Sequence, residues 1–295
     1  MIDLHLHSTF SDGSLTPEAL VERADKLGLT AIALTDHDST DGLDRFRAAC
    51  AGRVLAGIGG VEISCDVARG TMHLLGYFVD PDHAALANVL RQIRDGRSVR
   101  NEKIRAKLKD LGLELTAEEV AARAGEEVVG RPHFAGAMQA RGYVKSTSEA
   151  FEKYLAKGRP AYADRFRLSP ADGIAAIRQA GGVPVLAHPL TLDLNDGELR
   201  ARVRQLAEWG LGGIEAYYSE HSADRAGQYV ELARAFGLAL TGGSDFHGDL
   251  NPDIRMGRGF GGLRVPDELV PALVAAARKV RGGEGALRSP DDLLW

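Results

Sequence analysis

Histidines and carboxylates recur in this chain at one kind of place, beside a short apolar run, and this repetition restricts the available folds more than any other feature. Met1–His7 alternates, so that Asp3, His5 and His7 share one face of a strand while Ile2, Leu4 and Leu6 share the other. Asp12 follows in the next loop. Thr30–Thr35 leads into Asp36-His37-Asp38, Val54–Ser64 carries Glu62 near its end, and Met72–Val79 carries His73. Val183–Ala187 delivers His188-Pro189, and Leu238–Thr241 leads into Gly242-Gly243-Ser244-Asp245-Phe246-His247. Helical windows lie between, opened by cap-and-proline signals such as Thr16-Pro17-Glu18 and Ser169-Pro170 and stopped near Gly28 and Gly181-Gly182. With Gly212–Tyr217 this makes six or seven strands joined mostly by helices. That pattern predicts an α/β barrel, whose reactive residues collect at the C-terminal strand ends. A doubly wound open sheet is the alternative, but no Gly-rich phosphate fingerprint follows any strand.

The alternation breaks between residues 84 and 160. There the helical windows Ala84–Leu111, Thr116–Ala124, Pro132–Arg141 and Ser148–Ala156 follow one another with no strand between them. The expected organisation is therefore a barrel of residues 1–83 and 161–295, interrupted by a helical cap of residues 84–160. The cap holds 15 Lys and Arg against 10 Asp and Glu. The whole chain carries a net charge of −5, so a general attraction to nucleic acid or anionic membrane is excluded and any polyanion must bind locally. No apolar run approaches the ~18 residues that span a bilayer, and the first ten residues already hold Asp3, His5 and His7. A cytoplasmic protein without an obligate protein partner is expected. Cys50 and Cys65 read as small buried hydrophobes, not as a disulfide framework.

Nine side chains are candidate metal ligands: His5, His7, Asp12, His37, Glu62, His73, His188, Asp245 and His247. Imidazole and carboxylate suit Mn²⁺, Fe²⁺ or Zn²⁺, and nine exceed what one ion can use, so two or three divalent metals are expected. Mn²⁺ is the first choice. Gathering so many titratable groups without cations would be opposed by repulsion and desolvation.

The motifs His5-Leu6-His7-Ser8, Ser11-Asp12-Gly13, Leu34-Thr35-Asp36-His37-Asp38, Gly60-Val61-Glu62-Ile63, His73-Leu74-Leu75-Gly76, Ala187-His188-Pro189 and Gly243-Ser244-Asp245-Phe246-His247 together resemble those of the polymerase-and-histidinol-phosphatase (PHP) family. The resemblance implies a distorted seven-stranded TIM-like barrel, a di- or trinuclear metal site and hydrolysis of phosphate esters. By motif, His5, His7, Glu62 and Asp245 resemble the ligands of a first metal. Glu62 would bridge to a second, held also by His73 and His188, while Asp12, His37 and His247 would hold a third. Gly130-Arg131-Pro132-His133-Phe134-Ala135 and Tyr154–Tyr162 look like the cap of stand-alone members acting on nucleotides. That subgroup implies removal of the 3′-phosphate of nucleoside 3′,5′-bisphosphates, or 5′-to-3′ trimming of short oligonucleotides. Histidinol phosphate is a further candidate substrate. A non-catalytic metal-stabilised binding module and metal-dependent C–N hydrolysis are the readings from other classes.

The expected nucleophile is a hydroxide bridging two metals, because coordination brings the pKa of water from 15.7 toward ~7. Arg131 is the first choice to bind substrate phosphate, as a bidentate fork just before a helix, with Lys157 and Arg159 as second choices. His133 and His221 are the candidates to protonate the leaving oxygen and to contact substrate. Glu215 is left outside the ligand set and would orient a neighbour, and His83 looks exposed. Tyr143, Phe151, Tyr154, Tyr162 and Phe166 could stack a base, although the spacing of Phe151 and Tyr154 suits core packing.

Overall fold

Seven strands form one sheet in chain order: β1 (Ile2–Leu6), β2 (Ala31–Leu34), β3 (Ala56–Cys65), β4 (Met72–Tyr77), β5 (Val183–Leu186), β6 (Gly213–Tyr218) and β7 (Ala239–Gly243). The computed structural model describes residues 1–124, 129–164 and 166–282. The ends of the sheet meet where His7 N–H donates to Phe246 O at 3.1 Å and Asp245 N–H donates to His5 O at 3.0 Å, so the sheet curls into a barrel. All neighbouring strands are parallel except β4, which runs antiparallel to both β3 and β5. This reversal corrects one detail of the sequence pattern: His73 stands at the beginning of its strand, yet the antiparallel run brings that beginning level with the end of β3 (Ser64 opposite His73).

Packing divides the chain into two units, residues 1–90 with 168–295, and residues 91–167. The sequence boundaries of 84 and 160 lie a few residues ahead of these. In the first unit the strands alternate with α1 (Pro17–Lys26), α2 (Leu43–Cys50), the beginning of α3 (Ala84–Asp110), α7 (Pro170–Gln179), α8 (Asp196–Glu208), α9 (Ala223–Phe236) and α10 (Leu269–Val280). Side-chain caps start several of them. Thr16 Oγ1 accepts Ala19 N–H at 3.3 Å, and Asn195 and Glu198 cap α8 reciprocally at 3.0 and 2.9 Å, each such cap contributing about 1 kcal/mol. The barrel core joins Ile2, Leu4, Ile58, Tyr77, Val183 and Val185 to Leu273 and Ala277 of α10. Burying each large apolar side chain contributes about 1.5–3 kcal/mol.

The second unit contains the rest of α3, α4 (Ala117–Ala124), α5 (Arg131–Ala140) and α6 (Thr147–Ala150), followed by a wider π-turn over Phe151–Leu155. The sequence pattern runs these last two pieces together as one helix. The structure widens it where Ala156 N–H reaches back to Phe151 O at 3.0 Å. Ile104, Leu108, Phe134, Met138 and Leu155 form this unit's own core, with Tyr143, Phe151 and Tyr154 packed against it. Among the described residues no helix is long and apolar enough to cross a membrane. Cys50 and Cys65 are free and buried.

Candidate metal centre

The nine candidate ligands converge at one rim of the barrel. His5 comes from β1, His7 from the residue just after it, Glu62 from β3 and His73 from the beginning of β4. Asp12, His37, His188, Asp245 and His247 come from the loops beyond β1, β2, β5 and β7. Three groups have donor atoms within 4.8 Å of one another: His5, His7, Glu62 and Asp245; His7, Asp12, His37 and His247; and His37, Glu62 and His73. His188 joins through Nε2, 3.0 Å from Glu62 Oε1, and His73 Nδ1 lies 2.8 Å from the same oxygen.

Hydrogen bonds outside the cluster settle which ring nitrogens face inward. Glu215 Oε1 is 2.9 Å from His5 Nδ1, so in the neutral ring that nitrogen carries the proton and Nε2 presents its lone pair to the cluster. Ser11 gives its hydroxyl proton to Asp36 at 2.7 Å, so its oxygen accepts His7 Nδ1–H at 3.3 Å, and once the ring is neutral Nε2 is the inward lone pair. His247 Nδ1–H donates to Asp245 O at 2.8 Å, and its Nε2 lies 3.2 Å from Asp12 Oδ1.

Other carboxylates hold the loops in place. Asp3 accepts Ser244 N–H at 2.8 Å, Ser244 Oγ–H at 2.6 Å and Gly257 N–H at 2.6 Å. Asp36 accepts Ser8 N–H and both Ser8 and Ser11 hydroxyls, each at 2.7 Å. Asp38 accepts Ser64 N–H at 3.0 Å. Asp38, His188 and Asp245 have φ of 53°, 23° and 58°. Non-glycine residues held there cost about 1–3 kcal/mol each, and all three flank or belong to the cluster. An added Cβ at Gly243 would lie 2.3 Å from His5 Cβ, so the closing strand approaches β1 too closely for any side chain there.

Burial works against charge in the cluster; pairing outweighs it at His7 and Glu62, whereas at His73 burial prevails and lowers the imidazole pKa. For His7 the Asp245, Glu62 and Asp12 carboxylates overcome burial and lift the imidazole to about 10. Burial likewise opposes the charge of Glu62, but His37, His73 and His5 hold its carboxyl well below the usual range. Asp3 behaves in the opposite way: burial pushes it up to about 6 despite its hydrogen bonds.

A cation fits this donor set. Among the described residues, His5 Nε2, His7 Nε2, His37 Nδ1, Asp12 Oδ1, Glu62 Oε2 and Asp245 Oδ1 are buried without a hydrogen-bond partner. Buried polar atoms are otherwise paired, so six orphans facing one another call for a shared partner. His7 Nε2 lies 3.1 Å from Asp245 Oδ1 and 3.3 Å from Glu62 Oε2, and His5 Nε2 lies 3.4 and 3.3 Å from the same two atoms. Donors around one ion at ~2.1 Å are separated by about 3.0–3.4 Å.

The remaining site residues of the sequence analysis are distributed over both units. His221 follows β6, and its Nδ1–H donates to Ala216 O at 2.9 Å while Nε2 is buried and without a hydrogen-bond partner. Burial lowers its pKa. The second unit holds Arg131, His133, Lys157 and Arg159. Arg131 donates to Leu155 O at 3.3 Å and lies over the Tyr162 ring at 5.4 Å, and His133 Nδ1 accepts Gly130 N–H at 2.9 Å. Phe166 is exposed, and His83 is half-buried rather than exposed. Tyr218, absent from the sequence analysis, donates its hydroxyl to Asp245 Oδ2 at 3.0 Å. An aromatic residue at a strand end carries no sequence signal that separates this role from packing.

A curled α/β sheet with imidazoles and carboxylates gathered at one rim defines a metal-dependent hydrolase. Residues 3–163 match the PHP domain, and the chain belongs to that family. It is similar to a 3′,5′-nucleoside bisphosphate phosphatase of Chromobacterium violaceum, with 36% identity over 83% of this chain and 87% of the relative. It is also similar to the 5′-3′ exoribonuclease Rnm of Escherichia coli, with 34% identity over 87% of this chain and 88% of the relative. A crystal structure from Bifidobacterium adolescentis, put forward as a metal-dependent phosphoesterase, superposes with a TM-score of 0.79 at 29% identity over 93% of this chain and 96% of that one. Family, fold and site make this chain a metal-dependent phosphoesterase.

Proposed function

We propose that this protein removes the 3′-phosphate of nucleoside 3′,5′-bisphosphates, for example converting adenosine 3′,5′-bisphosphate to AMP and phosphate. The observation that carries this reading is the set of unpartnered donor atoms at the rim, in a chain 36% identical to a nucleoside bisphosphate phosphatase. His5, His7, Glu62 and Asp245 would hold one metal, Glu62, His73 and His188 a second, and Asp12, His37 and His247 a third, with Mn²⁺ preferred over Fe²⁺ or Zn²⁺. Bound divalent cations supply Lewis acidity toward the phosphoryl oxygens and lower the pKa of water. The cytoplasm is the proposed compartment.

The protein's own groups then divide the remaining work. Arg131, Lys157 and Arg159 would neutralise substrate phosphate, the first by a bidentate fork. The two candidate acids differ in tautomer. His133 accepts an N–H at Nδ1, so its neutral ring carries the proton on Nε2. His221 spends its proton on Ala216 O, so its Nε2 is an acceptor suited to a substrate hydroxyl. Both stay candidates to protonate the leaving oxygen, and Nε2 of a neutral His221 would accept a hydrogen bond from substrate.

Phosphate release from adenosine 3′,5′-bisphosphate with Mn²⁺ tests the reading directly. The absence of release with any divalent metal, from protein shown to have bound it, would overturn it. The similarity to an exoribonuclease supports a second reading, 5′-to-3′ trimming of short RNA. Parallel assays on 5′-phosphorylated oligonucleotides, histidinol phosphate and simple amides rank the alternatives.

A further inference from the structure

Tyr218 stands at the end of β6 and is buried at 6% exposure. Its hydroxyl donates to Asp245 Oδ2 at 3.0 Å, and the other oxygen of that carboxylate, Oδ1, faces His5 and His7 without a hydrogen-bond partner. The two oxygens of Asp245 are thus differentiated, one held by a phenol and the other presented to the imidazoles. The phenol ring also lies 5.3 Å from the His188 ring and 5.1 Å from that of His221. Asp245 and His188 both sit at positive φ, where the backbone alone favours other conformations. One side chain therefore touches two residues that their own backbone torsions do not hold in place.

We propose that Tyr218 is a positioning residue that fixes Asp245 as a one-oxygen ligand, so that the cluster binds a divalent cation more tightly than its ligands alone would allow. This rests on reading the rim as a metal site. A carboxylate free to turn about its last torsion presents either oxygen or both, and ordering it at the moment of binding costs affinity. A hydrogen bond made beforehand removes that cost. Partners of this kind alter metal affinity by about 10–100-fold. The aromatic contacts with His188 and His221 do not need the hydroxyl, so Tyr218→Phe isolates the hydrogen bond.

The test is calorimetric titration of metal-stripped wild type and Tyr218→Phe with Mn²⁺, with thermal melts of each in the stripped and loaded states. The expected result is a loss of about 10-fold or more in Mn²⁺ affinity and a smaller metal-induced rise in Tm, while the stripped proteins melt alike. In an Asp245→Ala background, removing the hydroxyl should cause no further loss, because its effect passes through that carboxylate. Unchanged affinity overturns the proposal, and so does a lower Tm of the stripped variant with an unchanged metal-induced rise, which marks a packing role. If Tyr218→Phe does not fold alone, the Asp245→Ala pair decides: a further loss of affinity there overturns the proposal. Wild type that binds no Mn²⁺ fails the metal-site reading itself, an outcome distinct from equal binding by both proteins.

Discussion

Glu215 reaches His5 Nδ1 with one carboxylate oxygen at 2.9 Å and accepts the backbone N–H of His188 with the other at 2.7 Å. It thereby fixes a ring on β1 and the start of the loop after β5 at once. Glu215→Gln offers one acceptor where two donors converge, leaving an N–H facing an amide N–H₂. The variant is expected to lose about 1–3 kcal/mol of stability and about 10–100-fold in metal affinity. Denaturant unfolding and Mn²⁺ titration check the two effects separately.

Metal affinity and stability of the stripped protein should move in opposite directions with pH. The folded pKa of His7 is about 10, above the ordinary 6.5 of an unfolded chain, so its charged form contributes stability that is complete below pH 6.5. That contribution is lost as pH rises through about 10. Ligation requires the neutral ring, so binding releases protons and the apparent affinity rises over the same interval. Thermal melts of stripped protein and Mn²⁺ titrations between pH 6.5 and 10 measure both trends. A stripped protein that gains stability across this window would contradict the assignment.

Gly243→Ala places a methyl group 2.3 Å from His5 Cβ and 2.4 Å from His5 N, a distance only a backbone shift can relieve. A loss of about 1–3 kcal/mol is expected, accompanied by weaker metal binding because His5 and Asp245 separate. Gly262, with nothing within 4 Å and no φ in the left-handed region, is the control, and its replacement by Ala should leave metal binding unchanged.

Arg131→Ala separates phosphate binding from structure. In its helical unit the guanidinium bonds Leu155 O and covers Tyr162, contacts that stability measurements report. If it also binds substrate phosphate, kcat/KM for adenosine 3′,5′-bisphosphate falls about 100-fold, or about 2.7 kcal/mol, and Arg131→Lys recovers only part of it. A lower Tm with unchanged kcat/KM would confine Arg131 to the structural role.

The barrel was legible in the sequence because apolar runs mark its strands and caps mark several of its helices, as at Thr16-Pro17 and Ser169-Pro170. The direction of β4 was not, since an apolar run with a histidine near its start reads alike in either orientation. Within Asp36-His37-Asp38 the sequence singles out His37 but does not show what its neighbours do. Asp36 turns to Ser8 and Ser11 and Asp38 to Ser64, choices set by tertiary geometry between segments 25–28 residues apart. Tyr218 was hidden for the same reason, because its partner Asp245 is 27 residues away.

The seam at which β7 meets β1 brings His5 and His7 against Asp245 and His247, residues from opposite ends of the barrel's chain. An ion held by both sides would act as a clasp on a loop of some 240 residues, and in chain-entropy terms a closure of that length would be worth several kcal/mol to the folded state. The same clasp cannot form on a partly made chain, since its halves meet only after the last strand has docked. Metal capture would then report completion of folding: a chelator should loosen this seam first, and hydrogen exchange at His7 and Asp245 amides should rise before exchange within β3 and β4.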